Sequence, residues 1–199
     1  MTTRTLFRSQ YWSILKLFYE NHNTPVHLRE ISRRIGIKES STFLHLNSLE
    51  KAGILQSKKD ANLKKYSIRR QQIPLIFPLF DTDRLESLPF LRKNAVKEYL
   101  AALVHKPALL IVFGSTAKGT FNDSSDIDIL QVSGSSKESG QAKKSAEALT
   151  GQNLQVFRVS EARFYKELKL KQDYVVQSAI ETGFPVFNKE YFYCLIYNE

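Results

Sequence analysis

Asp126 and Asp128 flank a single isoleucine in the stretch "SSDIDIL", residues 124–130. The apolar residues around them predict a strand, on which residues two apart point to the same face. Ile127 and Ile129 then enter a core while the two carboxylates converge on the opposite side. Like charges that close repel unless a cation joins them. Carboxylate oxygens suit magnesium, or manganese in its place, shared with the phosphates of a substrate. Two such ions could hold the attacking and leaving oxygens of an in-line displacement at phosphorus. The plain alternative for a D-x-D pair is solvated charge on an exposed strand face.

A second feature precedes the pair. "PALLIVF", residues 107–113, is a short apolar run of the kind found in central strands, and Gly114 ends it. Glycine permits an unusual backbone angle there and lets a ligand approach the main chain. Ser115 adds a hydroxyl and an amide, and if "STAKG" opens a helical turn its free N–H groups form an anion site suited to a terminal phosphate. Lys118 lies beside this site in the sequence, as a phosphate contact or as a solvated lysine. Thr120 and Ser125 are weaker candidates.

The whole arrangement is an apolar strand, Gly-Ser, ten intervening residues, then Asp-apolar-Asp-apolar in a second apolar strand. "FGSTAKGTFNDSSDIDIL" resembles the nucleotidyltransferase superfamily related to DNA polymerase beta, particularly its minimal members. Over about residues 90–190 that resemblance implies a small mixed sheet flanked by helices, with nucleoside triphosphate and magnesium at the sheet's edge. It implies that Gly114 and Ser115 hold the triphosphate, with Lys118 in reach of it, and that Asp126 and Asp128 are the metal-ligating catalytic residues. The family pattern also carries a third carboxylate on a later strand. The matching strand here, "NLQVFRVS", has no acid, and Gln155 takes the expected place. An amide ligates weakly and cannot serve as a base near neutral pH. Glu161 and Asp173 follow; each could reach in, or simply stand at a helix start or on the surface.

Positive charge is concentrated elsewhere. Residues 1–70 carry 14 Lys or Arg against 5 Asp or Glu, whereas residues 71–199 carry 15 of each, so the whole surplus of +9 sits in the first third. A basic module for a polyanion joined to a neutral module is the natural reading. "SQYWSILKLFYEN" and "HLREISRRIGI" have helical spacing, with Gly36 as a stop signal. "KESSTFLHLNSLEKAGIL" predicts a third helix with Phe43, Leu44, Leu46 and Leu49 inward, leaving Lys38, Glu39, Ser40, Ser41, Thr42, His45 and Asn47 outside. "ILQSKKDANLKKYSIRR" reads as a hairpin with lysines at its tip. The order resembles a winged helix-turn-helix, especially in "SSTFLHLNSLEKAGIL". The resemblance implies double-stranded DNA as partner, with Ser40 to Asn47 entering a major groove and Lys58, Lys59, Lys64 and Lys65 on backbone phosphate.

Between the two modules, Pro74, Pro78 and Pro89 are expected to interrupt any continuous helix; an amphipathic helix follows, with Leu91, Val96, Tyr99, Leu100 and Leu103 along one stripe. "SGSSKESG", residues 133–140, reads as a loop, and helices are expected near 161–170, 172–182 and 189–197. Phe184, Phe187, Tyr191 and Phe192 are assigned to the core. No apolar run is long enough for a bilayer, the first residues lack the apolar core of a secretory signal, and the single cysteine, Cys194, cannot form an internal disulfide. A cytoplasmic protein with no membrane partner is expected, and a homodimer, since winged helices often act in pairs. The expected fold is α+β: a winged helix-turn-helix over 1–70, a connector over 71–89, and an α/β nucleotidyltransferase domain with a small mixed sheet over 90–199. Two functions follow. One is magnesium-dependent transfer of a nucleoside monophosphate from NTP to a hydroxyl acceptor at DNA. The other is a catalytically weak or silent regulator that senses nucleotide or, by analogy with minimal relatives, acts like an antitoxin.

Overall fold

The computed structural model describes residues 10–134 and 140–197, and the chain divides into two units, one ending at Phe80 and one running from Asp81 to Tyr197. Most of the 133–140 stretch read as a loop, and the first residues read for a signal, therefore lie outside the described residues.

The first unit is mixed. Helix α1 (Gln10–Glu20) buries Ile14, Leu17, Phe18 and Tyr19. A two-residue strand β1 (Val26–His27) leads into α2 (Leu28–Ile35), where the His27 ring accepts from the Glu30 N–H and Gly36 closes the helix in the left-handed conformation at φ 71°. Glu30 holds Arg33 and Arg34 at 2.7 and 2.6 Å, and the two guanidiniums lower its carboxyl to about 2. Helix α3 (Glu39–Lys51) buries Thr42, Leu46 and Leu49. Strands β2 (Leu55–Asp60) and β3 (Leu63–Ile68) form a hairpin about Ala61 and Asn62, and β1 adds to β3, so the sheet runs β1-β3-β2. Helix, strand, helix, helix, hairpin is a winged helix-turn-helix.

After a 3-10 turn (Arg70–Gln72), α4 (Ile73–Ser87) is continuous across Pro74 and Pro78, where a break was expected, and ends ahead of Pro89 as expected. Pro74 falls in the first turn, where no amide hydrogen is needed, and only Pro78 removes an internal bond. The aromatic contacts of Phe77 and Phe80 with Tyr19, and of Phe80 with Trp12 at 4.2 Å, hold that half of the helix in the first unit.

The second unit starts with the rest of α4 and α5 (Phe90–Ala102), then β4 (Leu109–Phe113), a short α6 (Gly114–Lys118), β5 (Ile127–Val132), α7 (Gly140–Thr150) and β6 (Leu154–Val159). Helices α8 (Glu161–Leu170) and α9 (Tyr174–Thr182), strand β7 (Phe184–Phe187) and α10 (Lys189–Tyr197) complete it. The sheet order is β6-β5-β4-β7. β4 runs antiparallel to both neighbours, while β5 and β6 are parallel, so α7 is their crossover. One sheet face carries Leu110, Val112, Ile127, Ile129, Leu154 and Phe184 and packs on Ala95, Val96 and Tyr99 of α5 and Ala142 and Ala146 of α7. Because side chains alternate, Phe113, Asp128 and Gln155 lie on the other face. This is the expected α+β architecture with a small mixed sheet. Strand β7 and helix α7 are additions to the sequence expectation. Phe184 and Phe192 are buried as expected, Phe187 is partly buried, and Tyr191 stands at the surface.

Candidate functional site

β4 is buried along its whole length, which fixes where it ends. At that end Gly114 turns the chain at φ 65° into α6, and Gly119 at φ 70° ends that helix one turn later. Antiparallel pairing places Phe113 opposite Asp128, and parallel pairing places Asp128 opposite Gln155. Gly114 and Asp128 therefore meet: a Cβ built on Gly114 would lie 2.0 Å from Asp128 Oδ2 and 3.0 Å from its Cγ. The carboxylate occupies the space that only glycine leaves free. Burial, and then the charge of Asp126, push the Asp128 carboxyl above the ordinary aspartate range. Asp126 lies near enough for its charge to act on Asp128, and its own side chain is exposed.

This contact gives a test. In Gly114→Ala the left-handed angle costs about 1–2 kcal/mol, and the new methyl is relieved most cheaply by rotating the Asp128 carboxylate away. We expect a folded variant, slightly destabilised by thermal denaturation, whose affinity for magnesium nucleotide in calorimetry falls by about tenfold or more.

The loop between α6 and the aspartates is held from below. Arg92, buried on α5, donates to Thr116 Oγ1 at 2.9 Å and to the carbonyls of Asn122 and Ser125 at 2.8 and 2.6 Å. Its guanidinium also stacks on Phe121 at 4.3 Å. Asn122 Oδ1 in turn accepts from Ser124 and Ser125, which closes the turn just ahead of Asp126. A second arginine, Arg84, donates to the Ala117 carbonyl at 2.7 Å and lies over Phe184 at 4.4 Å. The sequence reading placed Leu91 on the inward stripe of this helix. The structure exposes Leu91 and buries Arg92, because the loop offers two carbonyls and a hydroxyl to a planar fork of donors. The signal that could have found it is a cation four and seven residues before Val96 and Tyr99, at the head of the apolar stripe. Arg92→Met leaves three acceptors unserved; at roughly 1 kcal/mol or more each, we expect the thermal midpoint to drop by about 10 °C in scanning calorimetry.

The other candidates separate clearly. Ser115 is half-buried beside Gly114, while Lys118 is exposed at the far end of α6, and Thr120 is exposed beyond it. Gln155 is exposed on the edge strand in register with Asp128. Glu161 opens α8 beyond the end of β6, with its Oε1 beside Gly134, past the opposite end of β5 from Asp128. Asp173 caps α9, accepting from Val175 and Val176, and pairs with Arg163 at 2.6 Å. Among the described residues no group of three or more His, Cys, Asp or Glu gathers as a metal cluster. Two oxygen-donor side chains, Asp128 half-buried and Asp126 exposed, are nonetheless a set that fits magnesium, which takes one or two carboxylates and fills its other positions with water and phosphate oxygens.

In the first unit the exposed row of α3 differs from the expectation. Thr42 is buried, its hydroxyl donating to the Lys38 carbonyl at 3.1 Å, so its side chain is removed from the candidate DNA-contact set. Phe43 and Leu44, expected inward, are 46% and 67% exposed. Lys38, Glu39 and Ser40 are exposed, and Ser41, His45 and Asn47 half-buried. His45 meets the Tyr11 ring edge-on at 4.9 Å. In the hairpin, register pairs Lys59 with Lys64 on the face shared with Leu55 and Tyr66, and Lys58 with Lys65 on the opposite face. Lys64 pairs with Glu50 at 2.8 Å and Lys65 with Asp60 at 2.6 Å.

Comparison with known proteins agrees with both units. Residues 93–186 match the model of the nucleotidyltransferase domain, and residues 13–59 match the model of the IclR helix-turn-helix domain. No curated protein matches the chain. Among solved structures, the crystal structure of Pseudomonas aeruginosa HmgR is 18% identical over 53% of this chain and 40% of its own, with a TM-score of 0.29. The chain thus spans less than half of that protein, and a superposition that poor carries no argument. No helix among the described residues is long and apolar enough to cross a membrane.

Proposed function

We propose, for a chain that joins an IclR-type DNA-binding helix-turn-helix to a nucleotidyltransferase domain, a magnesium-dependent transfer of a nucleoside monophosphate from NTP to a hydroxyl acceptor, carried out at DNA. The observation that carries the proposal is the Gly114–Asp128 contact, with Asp126 beside it. It supports a site in which main chain and carboxylates approach one ligand together. Gly114 and Ser115 hold the triphosphate, with the exposed Lys118 as a phosphate contact, and Asp126 and Asp128 hold magnesium. When bound, the metal supplies charge neutralisation for the transferring phosphoryl group. The protein's part is positional: Arg92 ties the middle of α6 to the loop ahead of Asp126, and Arg84 holds the Ala117 carbonyl, so the carboxylates and the glycine turn keep their spacing as the ligand enters. In the transfer, the acceptor oxygen bonds to the α-phosphorus, the bond to the β-phosphate bridging oxygen breaks, pyrophosphate leaves, and the acceptor proton passes to solvent. The first unit binds double-stranded DNA, working in the cytoplasm as a homodimer.

A second reading has its own observation. Gln155, aligned with Asp128 where an acid would complete the site, gives no base near neutral pH. This favours a regulator that binds magnesium nucleotide, turns it over slowly or not at all, and passes the bound state to its DNA-binding half, including in an antitoxin-like role. Incubation with α-labelled and γ-labelled NTP separates the readings. Transfer puts the α label on the acceptor and frees pyrophosphate. Magnesium-dependent binding with both labels recovered in intact NTP supports the sensor.

A further inference from the structure

On α3 the buried positions are Thr42, Leu46 and Leu49, and the open row runs Ser40, Phe43, Leu44, Asn47, Ser48, Lys51 at helical spacing. A single exposed apolar residue on a helix is ordinary. Two adjacent ones at the centre of this row, 46% and 67% exposed, form a small apolar spot on the open face of α3. Tyr11 covers one flank, its hydroxyl donating to Ser48 Oγ at 3.3 Å and its ring against His45. What remains open is Ser40, Phe43 and Leu44, with Asn47 half-buried beside them.

The surroundings say what covers this spot. Lys38 and Lys51 mark the two ends of the row, and Lys59 stands on the helix-facing side of the hairpin; none of the three makes an ion pair among the described residues. A second copy of the same face would bring these like charges together. A polyanion satisfies them, and the unit's surplus of positive charge points the same way.

Phe and Leu side chains make no hydrogen bond to a base edge. The apolar feature that a major groove offers them is the C5 methyl of thymine, and the amide of Asn pairs with adenine N6 and N7. Asn47 lies one turn beyond Phe43. We propose that Phe43 and Leu44 read thymine methyl groups while Asn47 reads a neighbouring adenine, so that the duplex partner presents A·T pairs to this helix. The inference rests on the reading that this unit binds DNA, and it adds which chemistry in the groove is recognised.

The test uses the full chain and two duplex polymers, poly(dA-dT) and poly(dA-dU), which share every hydrogen-bonding edge and differ by the thymine methyl. At fixed salt, fluorescence anisotropy is expected to show tighter binding to poly(dA-dT), by roughly fourfold for each methyl contacted, from about 0.8 kcal/mol per buried carbon. In the variant Phe43→Ser with Leu44→Ser, both exposed positions, the two polymers are expected to bind alike, with an unchanged salt slope. Equal binding of both polymers by the wild type overturns the proposal, as does a methyl preference that survives in the variant. Self-association in sedimentation that the variant loses, without a methyl preference, assigns the spot to a second copy instead. Binding to neither polymer, nor to mixed-sequence duplex, defeats the underlying DNA reading itself.

Discussion

Replacing Asp126 and Asp128 together by Ala is expected to lower NTP-dependent label transfer by about a thousandfold or more. A bound cation contributes several kcal/mol of charge stabilisation at a transferring phosphoryl group, and each 1.36 kcal/mol is a factor of ten in rate. Asp128 lies against the glycine turn and feels the charge of Asp126, while Asp173 caps α9 and Glu161 begins α8 beyond the end of β6. The same geometry sets a direction with pH. Burial and Asp126 raise the Asp128 carboxyl, so as pH falls through that raised value the proton competes with the cation, and magnesium affinity weakens at a pH where an ordinary aspartate is still ionised. Asn at position 128 removes that titration along with the affinity. Magnesium-dependent transfer at the wild-type rate in the double Ala variant would remove the pair from the mechanism.

The second large effect belongs to the hairpin. Changing Lys58, Lys59, Lys64 and Lys65 to Ala is expected to weaken duplex DNA binding by about a hundredfold at moderate salt and to flatten its salt dependence, because each phosphate neutralised adds about 0.9 to the slope of log affinity against log salt. The lysines form like-charged cross-strand pairs, an arrangement that costs stability until an anion relieves it. Glu50 and Asp60 give partial relief, but exposed ion pairs are worth only about 0–1 kcal/mol, so exchanging them for phosphate would cost Lys64 and Lys65 little. Titrations from low to high salt check both numbers. Unchanged affinity and slope would place the DNA contact elsewhere on the unit.

Much of this molecule is readable from its residues because the signals are local. The Gly-Ser turn after a buried strand, and the alternation of acid and isoleucine, need only strand periodicity, and the register of β4 against β5 then brings Gly114 to Asp128. The helix-helix-helix-hairpin order likewise follows from apolar spacing and from Gly36. What escaped depends on partners distant in sequence. α3 has more apolar residues than its buried face holds, and Thr42 takes an inward position because its hydroxyl is satisfied within the helix, leaving Phe43 and Leu44 outside. Arg92 is buried because of carbonyls some 30 residues away. α7 meets the sheet through alanines, which make a faint stripe, and β7 contains Pro185, tolerated since β7 is an edge strand.

The central claim is that Asp126 and Asp128 bind one magnesium-nucleotide ligand together with the Gly114 turn. Calorimetric titration of the full chain with each nucleoside triphosphate, with magnesium and with chelator, tests it against Asp126→Asn plus Asp128→Asn. The account predicts saturable, magnesium-dependent binding of at least one nucleotide by the wild type and its loss in the double variant at unchanged circular dichroism. Binding that persists undiminished in that variant, or that ignores magnesium, would contradict it.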